Sequence, residues 1–204
     1  MAAAVLGLGV IALAVSPVVD EVADRSFSAH MLQHALLIYL AAPLLALAWP
    51  LVASRWPALA RWRGTSLLMN PISAVVISTV ALWLWHLPAL YDFALEHEPV
   101  HILEHLAFIA TFTLYWAVLV DGGVSPKLAS NEARALYLIA GAILTAPLGA
   151  ILLFANQVIY SHYVDLLPPG GRTPLEDQQI GGAIMLFSGP LVYGLAAVLA
   201  MRRE

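Results

Sequence analysis

Seven histidines, His30, His34, His86, His97, His101, His105 and His162, gather at one end of the apolar stretches of this 204-residue chain, and four of them form two His-x-x-x-His pairs. Residues four apart share one face of a helix, so His30 and His34 present two imidazoles one turn apart, with Met31 close to that face. His101, Glu104 and His105 form an i, i+3, i+4 group in the same way. Neutral imidazole is a good ligand for copper, zinc, iron or haem. The chain has no cysteine, which excludes disulfides and thiolate clusters and leaves His, Met, carboxylate or backbone as metal ligands. Gln33, Glu104 and Met185 are further candidates for supporting or completing such a site, as are His86, His162 and Asp177.

The elements that carry these residues are membrane spans. With 61% hydrophobic and 11% charged residues, the chain has too much apolar surface for a soluble domain. About 20 apolar residues cross the hydrocarbon core as a helix, and the short alternating strands of a membrane barrel are not found. Six stretches qualify, roughly Ala2 to Val19, Ala29 to Trp49, Pro71 to Leu87, Pro99 to Val120, Ala133 to Phe154 and Gln178 to Met201. The expected fold is an all-α polytopic bundle forming a single integral membrane domain over residues 1–204. The first stretch has no basic start and no convincing small-x-small cleavage site, so it is expected to be a retained span rather than a signal peptide.

Charge sets the expected orientation. Arg55, Arg61, Arg63, Lys127, Arg134, Arg202 and Arg203 lie on one side and only Arg25 and Arg172 on the other, which places both termini in the cytoplasm and the histidines at the outer, periplasmic face. Ten of the 13 acids share the histidine side, where they attract cations rather than nucleic acid. The segment from Ala155 to Pro174 is long for a structureless loop and is expected to contain local helix and to fold over the outer mouth.

Position argues for four of the histidines. His30 and His101 stand at matching depths near their helix starts, and His34 and His105 lie about 6 Å deeper. If the two helices are neighbours, four imidazoles converge. A lone histidine near a helix end is more often an interfacial or hydrogen-bonding side chain, which is the expectation for His86, His97 and His162. Ionisable groups inside spans are costly and usually functional. Met31 and Met185 are individually expected to be packing residues, and Trp83, Trp85, Tyr91, Tyr115 and Trp116 to form an interfacial aromatic belt. Pro43, Pro147 and Pro190 are expected to kink their spans.

Five segments in order carry a specific resemblance: Ser28-Ala29-His30-Met31-Leu32-Gln33-His34 followed by Ala42-Pro43-Leu44-Leu45; Trp85-His86-Leu87-Pro88-Ala89-Leu90-Tyr91-Asp92; Val100-His101-Ile102-Leu103-Glu104-His105; Tyr160-Ser161-His162-Tyr163; and Leu175-Glu176-Asp177-Gln178-Gln179-Ile180-Gly181-Gly182. Over nearly its whole length the chain resembles the multi-span CtaG family of bacterial cytochrome c oxidase assembly factors. The resemblance implies a protein of the bacterial inner membrane that matures a haem-copper oxidase, handling copper for its centres, with oxidase subunits and a copper donor protein as partners. Some members of that family have more than six spans, so an additional helix is expected to be missing here or supplied by a partner. An unrelated single-span copper chaperone of the same name carries cysteine, which this chain lacks. Two alternatives stand beside the copper reading: a redox protein whose histidines ligate b-type haem, and a metal-free assembly scaffold. Nothing resembles an ATP-binding loop or a nucleophile triad, so no enzyme activity is expected.

Overall fold

In the computed structural model, residues 1–58, 62–120 and 128–201 are described. Arg61, Lys127, Arg202, Arg203 and the side chain of Arg63, all counted above on the basic side, lie outside the described residues. The chain is an all-α, multi-pass membrane bundle, with no strand among the described residues.

Four spans are continuous: Phe27–Ala46, Glu98–Val120, Asn131–Leu153 and Pro174–Met201. The other two expected spans are bent. The first comprises α1 (Ala2–Ala14) and α2 (Pro17–Ala23), which meet at 51°. Proline at the start of α2 has no N–H to continue α1, and its fixed φ suits a new helix start. The second span is itself three pieces, α3 (Phe27–Leu36), a π-helical turn (Leu37–Ala41) and α4 (Ala42–Ala46). Pro43 removes one helical N–H just beyond the π turn, and the Trp116 indole donates to the Ile38 carbonyl inside it at 3.3 Å. Short helices α5 (Trp49–Arg55) and α6 (Arg63–Leu68) follow.

The third expected span, Pro71 to Leu87, ends at the sharpest bend, and a further helix beyond it was not expected. Helix α7 (Pro71–Trp85) ends at His86, and α8 (Pro88–Glu96) leaves at 72° to it. Pro88 again forces the restart. The remaining spans are α9 (Glu98–Val120), α10 (Asn131–Leu153) and α11 (Pro174–Met201). Pro147 and Pro190 lie within continuous helices. The connection before α11 contains a single 3-10 turn, Ser161–Tyr163.

Helices α10 and α11 pack along their length. Gly149 and Gly182 permit this, because a Cβ on either would collide with the partner's backbone near Leu186 or Leu153. α3 packs chiefly on α11, whereas α9 approaches the second span along the π turn and α4. The second and fourth spans therefore touch by backbone at one end and stand apart at the other. Large apolar side chains such as Val80, Ile102, Leu106, Ile143 and Leu195 face outward, as a lipid-facing surface requires, while His30, Gln33, His34, Glu104 and Asp177 are interior. The aromatic-belt expectation is corrected: Trp85, Tyr91, Tyr115 and Trp116 are buried in the core. Their rings stack on interior neighbours, as Tyr115 does on Tyr137 at 4.5 Å.

Candidate metal centre

The gap between α3 and the start of α9 is filled by imidazoles. Ser26 caps α3 by accepting from the Ala29 N–H at 3.3 Å, and His30 and His34 follow on the first and second turns. His101 and His105 occupy the equivalent turns of α9. One ring nitrogen from each of the four lies within 4.8 Å of the others. His30 Nε2 stands 2.9 Å from His34 Nε2 and 3.3 Å from His101 Nε2. The His34 and His105 rings meet edge to face at 5.3 Å. His30, His34 and His105 are buried, and His101 is half-buried at the rim.

These spacings suit a small ion. Four nitrogens held tetrahedrally at about 2.05 Å from a metal stand about 3.3 Å from each other. The two shortest contacts lie at and just below that value, and closing the most distant pair requires side-chain shifts of up to about 1.5 Å. The groups around the cluster also leave coordinating capacity free: His34 Nδ1, His105 Nε2 and both Glu104 carboxylate oxygens are buried without a hydrogen-bond partner in the protein. Glu104 Oε1 lies 3.8 Å from His34 Nε2, so a cation here would gain a counter-charge that no other described group engages.

Two tyrosines fix His30. Its Nδ1 is 3.0 Å from the Tyr163 hydroxyl and 3.1 Å from that of Tyr91. Tyr163 donates to the Ala23 carbonyl at 3.2 Å, so its oxygen is free to accept from His30 Nδ1–H, which leaves the Nε2 lone pair pointing into the cluster. Burial holds the Tyr163 phenol well above its ordinary range, keeping it protonated for that relay. Neither tyrosine was singled out as a site residue from sequence: Tyr91 is 61 and Tyr163 133 positions from His30. Their presence in the resembling segments was the only signal.

The remaining candidates divide. His86, the residue at the break after α7, donates from Nδ1 to the Leu82 carbonyl at 2.8 Å. Its Nε2 is buried and unpartnered, and its ring lies 5.7 Å from that of His34. His86 is thus an interior side chain rather than an interfacial one. Met31 and Met185 line a small cavity beside His34 and His86. His97 is exposed and stacks on Phe93 at 4.1 Å, as expected of an uninvolved residue. His162 points elsewhere, its Nε2 donating to the Asp24 carbonyl at 3.1 Å while its backbone N–H reaches Asp92.

Asp177 is a clamp on the start of α3. It accepts from Ser26 Oγ at 3.0 Å, Ser28 N–H at 3.1 Å and Ser28 Oγ at 2.6 Å, and Arg172 lies 3.5 Å away. Gln33 turns away from the histidines and donates to the Ala14 carbonyl and Asp20, bracing the bend in the first span. Glu176 caps α11, accepting from the Thr173 N–H at 2.8 Å.

A family model described as cytochrome c oxidase caa3 assembly factor matches residues 1–203 of the chain. No curated protein and no solved structure matches it.

Proposed function

The chain belongs to the family of cytochrome c oxidase caa3 assembly factors, and from that premise we propose that it carries copper to a haem-copper oxidase subunit, holding the ion with His30, His34, His101 and His105. The observation that carries this reading is the convergence of four imidazole nitrogens from two spans within 4.8 Å, beside a buried carboxylate. Copper is cargo here: it is bound and released by ligand exchange, and no covalent chemistry is required. His101, half-buried at the rim, is the first ligand to meet an ion, and His30, His34 and His105 complete the set.

In this reading the histidine end faces outward from the bacterial inner membrane. Asp20, Glu21, Asp24, Asp92 and Glu96 surround that end, whereas Arg55 lies at the opposite end. An acidic rim raises the local concentration of a cation or of a positively charged donor protein. An ion is favoured over haem because the rings pack against one another, with His30 4.3 Å from His34 and 5.0 Å from His101. Two axial imidazoles would instead have to stand apart on either side of a macrocycle.

Anaerobic Cu(I) titration of the detergent-purified protein, paired with oxidase activity in host membranes, tests the proposal. His34→Ala and His105→Ala should each lose the copper held by this cluster and lower caa3 oxidase activity while oxidase polypeptides are still made, and His97→Ala should match wild type. Full copper content and full oxidase activity in the His34/His105 double variant would refute copper carriage by this cluster. A Soret band in the wild type that vanishes in that variant would replace copper with haem.

A further inference from the structure

Beside the four-histidine cluster lies an internal cavity of about 10 Å³, lined by Met31, His34, His86, Thr145, Met185 and Ser188 among others. That volume admits one water-sized or ion-sized guest. Its wall is chemically unlike the cluster: two methionines, from α3 and α11, line it together with a histidine from the break after α7. His86 is 4% exposed. Its Nδ1 is engaged by the Leu82 carbonyl, and its Nε2 has no partner, as is also true of Ser188 Oγ. A buried imidazole whose one nitrogen is fixed by a carbonyl offers its other nitrogen as a preset ligand.

The position of Met31 is also built. Gly181 on α11 makes room for it, since a Cβ there would stand 3.1 Å from Met31 Cγ and 2.5 Å from Phe27 Cδ1. Both methionines thus belong to the helix pair that already clamps the histidine end through Asp177.

We infer that this cavity is a second metal site, specific for monovalent copper, in which Met31 Sδ, Met185 Sδ and His86 Nε2 take the ion. The inference rests on the copper reading of the neighbouring cluster and adds the oxidation state and a selectivity step to it. Thioether sulfur selects Cu(I) over zinc, whereas an all-imidazole set accepts either metal. The transfer is ligand exchange alone. Copper–imidazole bonds break on the cluster side and copper–sulfur and copper–His86 bonds form, with all ligands neutral and copper remaining Cu(I) throughout. His34 lines the cavity and belongs to the cluster, so it stands at the boundary across which the ion passes.

The test is Cu(I) and zinc titration of the whole purified protein under reducing, anaerobic conditions, with X-ray absorption spectra at each Cu(I) equivalent. Wild type should take a first equivalent with nitrogen scatterers and a second with sulfur scatterers. Met31→Leu/Met185→Leu, which conserves volume, should lose the second equivalent and its sulfur signal while keeping the first and all zinc binding. His101→Ala/His105→Ala should lose the first and keep the second. Two outcomes overturn the second site and leave the cluster standing: nitrogen-only spectra in wild type, or unchanged Cu(I) stoichiometry in the methionine variant. Loss of every equivalent in both variants overturns it in favour of one mixed site. The wild-type spectra decide the matter even where a variant does not fold.

Discussion

The pair of phenols behind His30 gives the most quantitative handle on the centre. Tyr163 and Tyr91 reach the same Nδ1 at 3.0 and 3.1 Å, and they lie 3.4 Å from each other. Removing the Tyr163 hydroxyl leaves Tyr91 in place as an acceptor, so Tyr163→Phe should cost His30 only the difference between two similar hydrogen bonds. A whole hydrogen bond is worth about 1 kcal/mol, roughly fivefold in affinity, so the single variant should weaken copper binding by less than about fivefold. Tyr163→Phe also takes the donor from the buried Ala23 carbonyl and should destabilise the fold by about 1–3 kcal/mol. Removing both hydroxyls strands a buried N–H and unfixes the ring, and copper affinity should then fall by about 10- to 100-fold. The two substitutions should therefore be more than additive in a double-mutant cycle. Competition against a chromophoric Cu(I) chelator reads affinity, and thermal aggregation followed by size exclusion reads stability. Wild-type copper affinity in a folded Tyr91→Phe/Tyr163→Phe protein would refute the argument that these phenols orient His30 as a ligand.

Other expectations follow from the same contacts. Asp177→Asn keeps the shape but loses a charge that three donor groups converge on, so stability should drop by about 2–4 kcal/mol, measurable as a lower thermal midpoint, with copper affinity falling as the start of α3 loosens. Gly182→Ala sets a methyl against the α10 backbone and should cost at least about 1–3 kcal/mol by the same measurement, whereas Gly9→Ala, whose new methyl meets nothing within 4 Å, should be neutral. Because the natural chain has no cysteine, single-cysteine labelling is clean. Glu96→Cys should react with an impermeant reagent in intact cells, and Arg55→Cys only after the membrane is opened; the reverse pattern would invert the assignment of the histidine end.

Much of the centre was legible because helical periodicity is a local rule. The i, i+4 spacing put two imidazoles on each of two helices, and matching distances from the helix starts put the pairs level; the structure brings His30 to His101 and His34 to His105. Nothing local announced the partners that arrive from distant loops and helices, such as Tyr163 on His30 or Ser26 and Ser28 on Asp177. The bends were half-visible. Pro17 and Pro88 each follow an apolar run and restart the helix, yet the expected first span ran straight through Pro17, while the third stopped at Leu87 and left α8 out of account. His86 closes that third stretch and turns inward where the helix stops. The aromatic residues misled for a related reason: hydropathy places a ring at a depth but not on a face, and in this bundle Trp85, Tyr91, Tyr115 and Trp116 point inward.

The π turn at Leu37–Ala41 sets the rotational phase of the second span. One residue added to a helical turn advances everything beyond it by about 100° around the axis. α3 and α4 are thereby two differently phased gears on one shaft, the first meshing mainly with α11 and the second with α9. Imidazoles can occupy the face of α3 that turns toward α9 without dictating which face of α4 is apolar, so the ligand-bearing half is free to vary in sequence while the packing half is held. Deleting one residue within Leu37–Ala41 would re-phase the shaft. The bundle would still assemble around α4 and α9, but His30 and His34 would rotate away from His101 and His105, and the protein would keep its place in the membrane while losing the four-imidazole cluster.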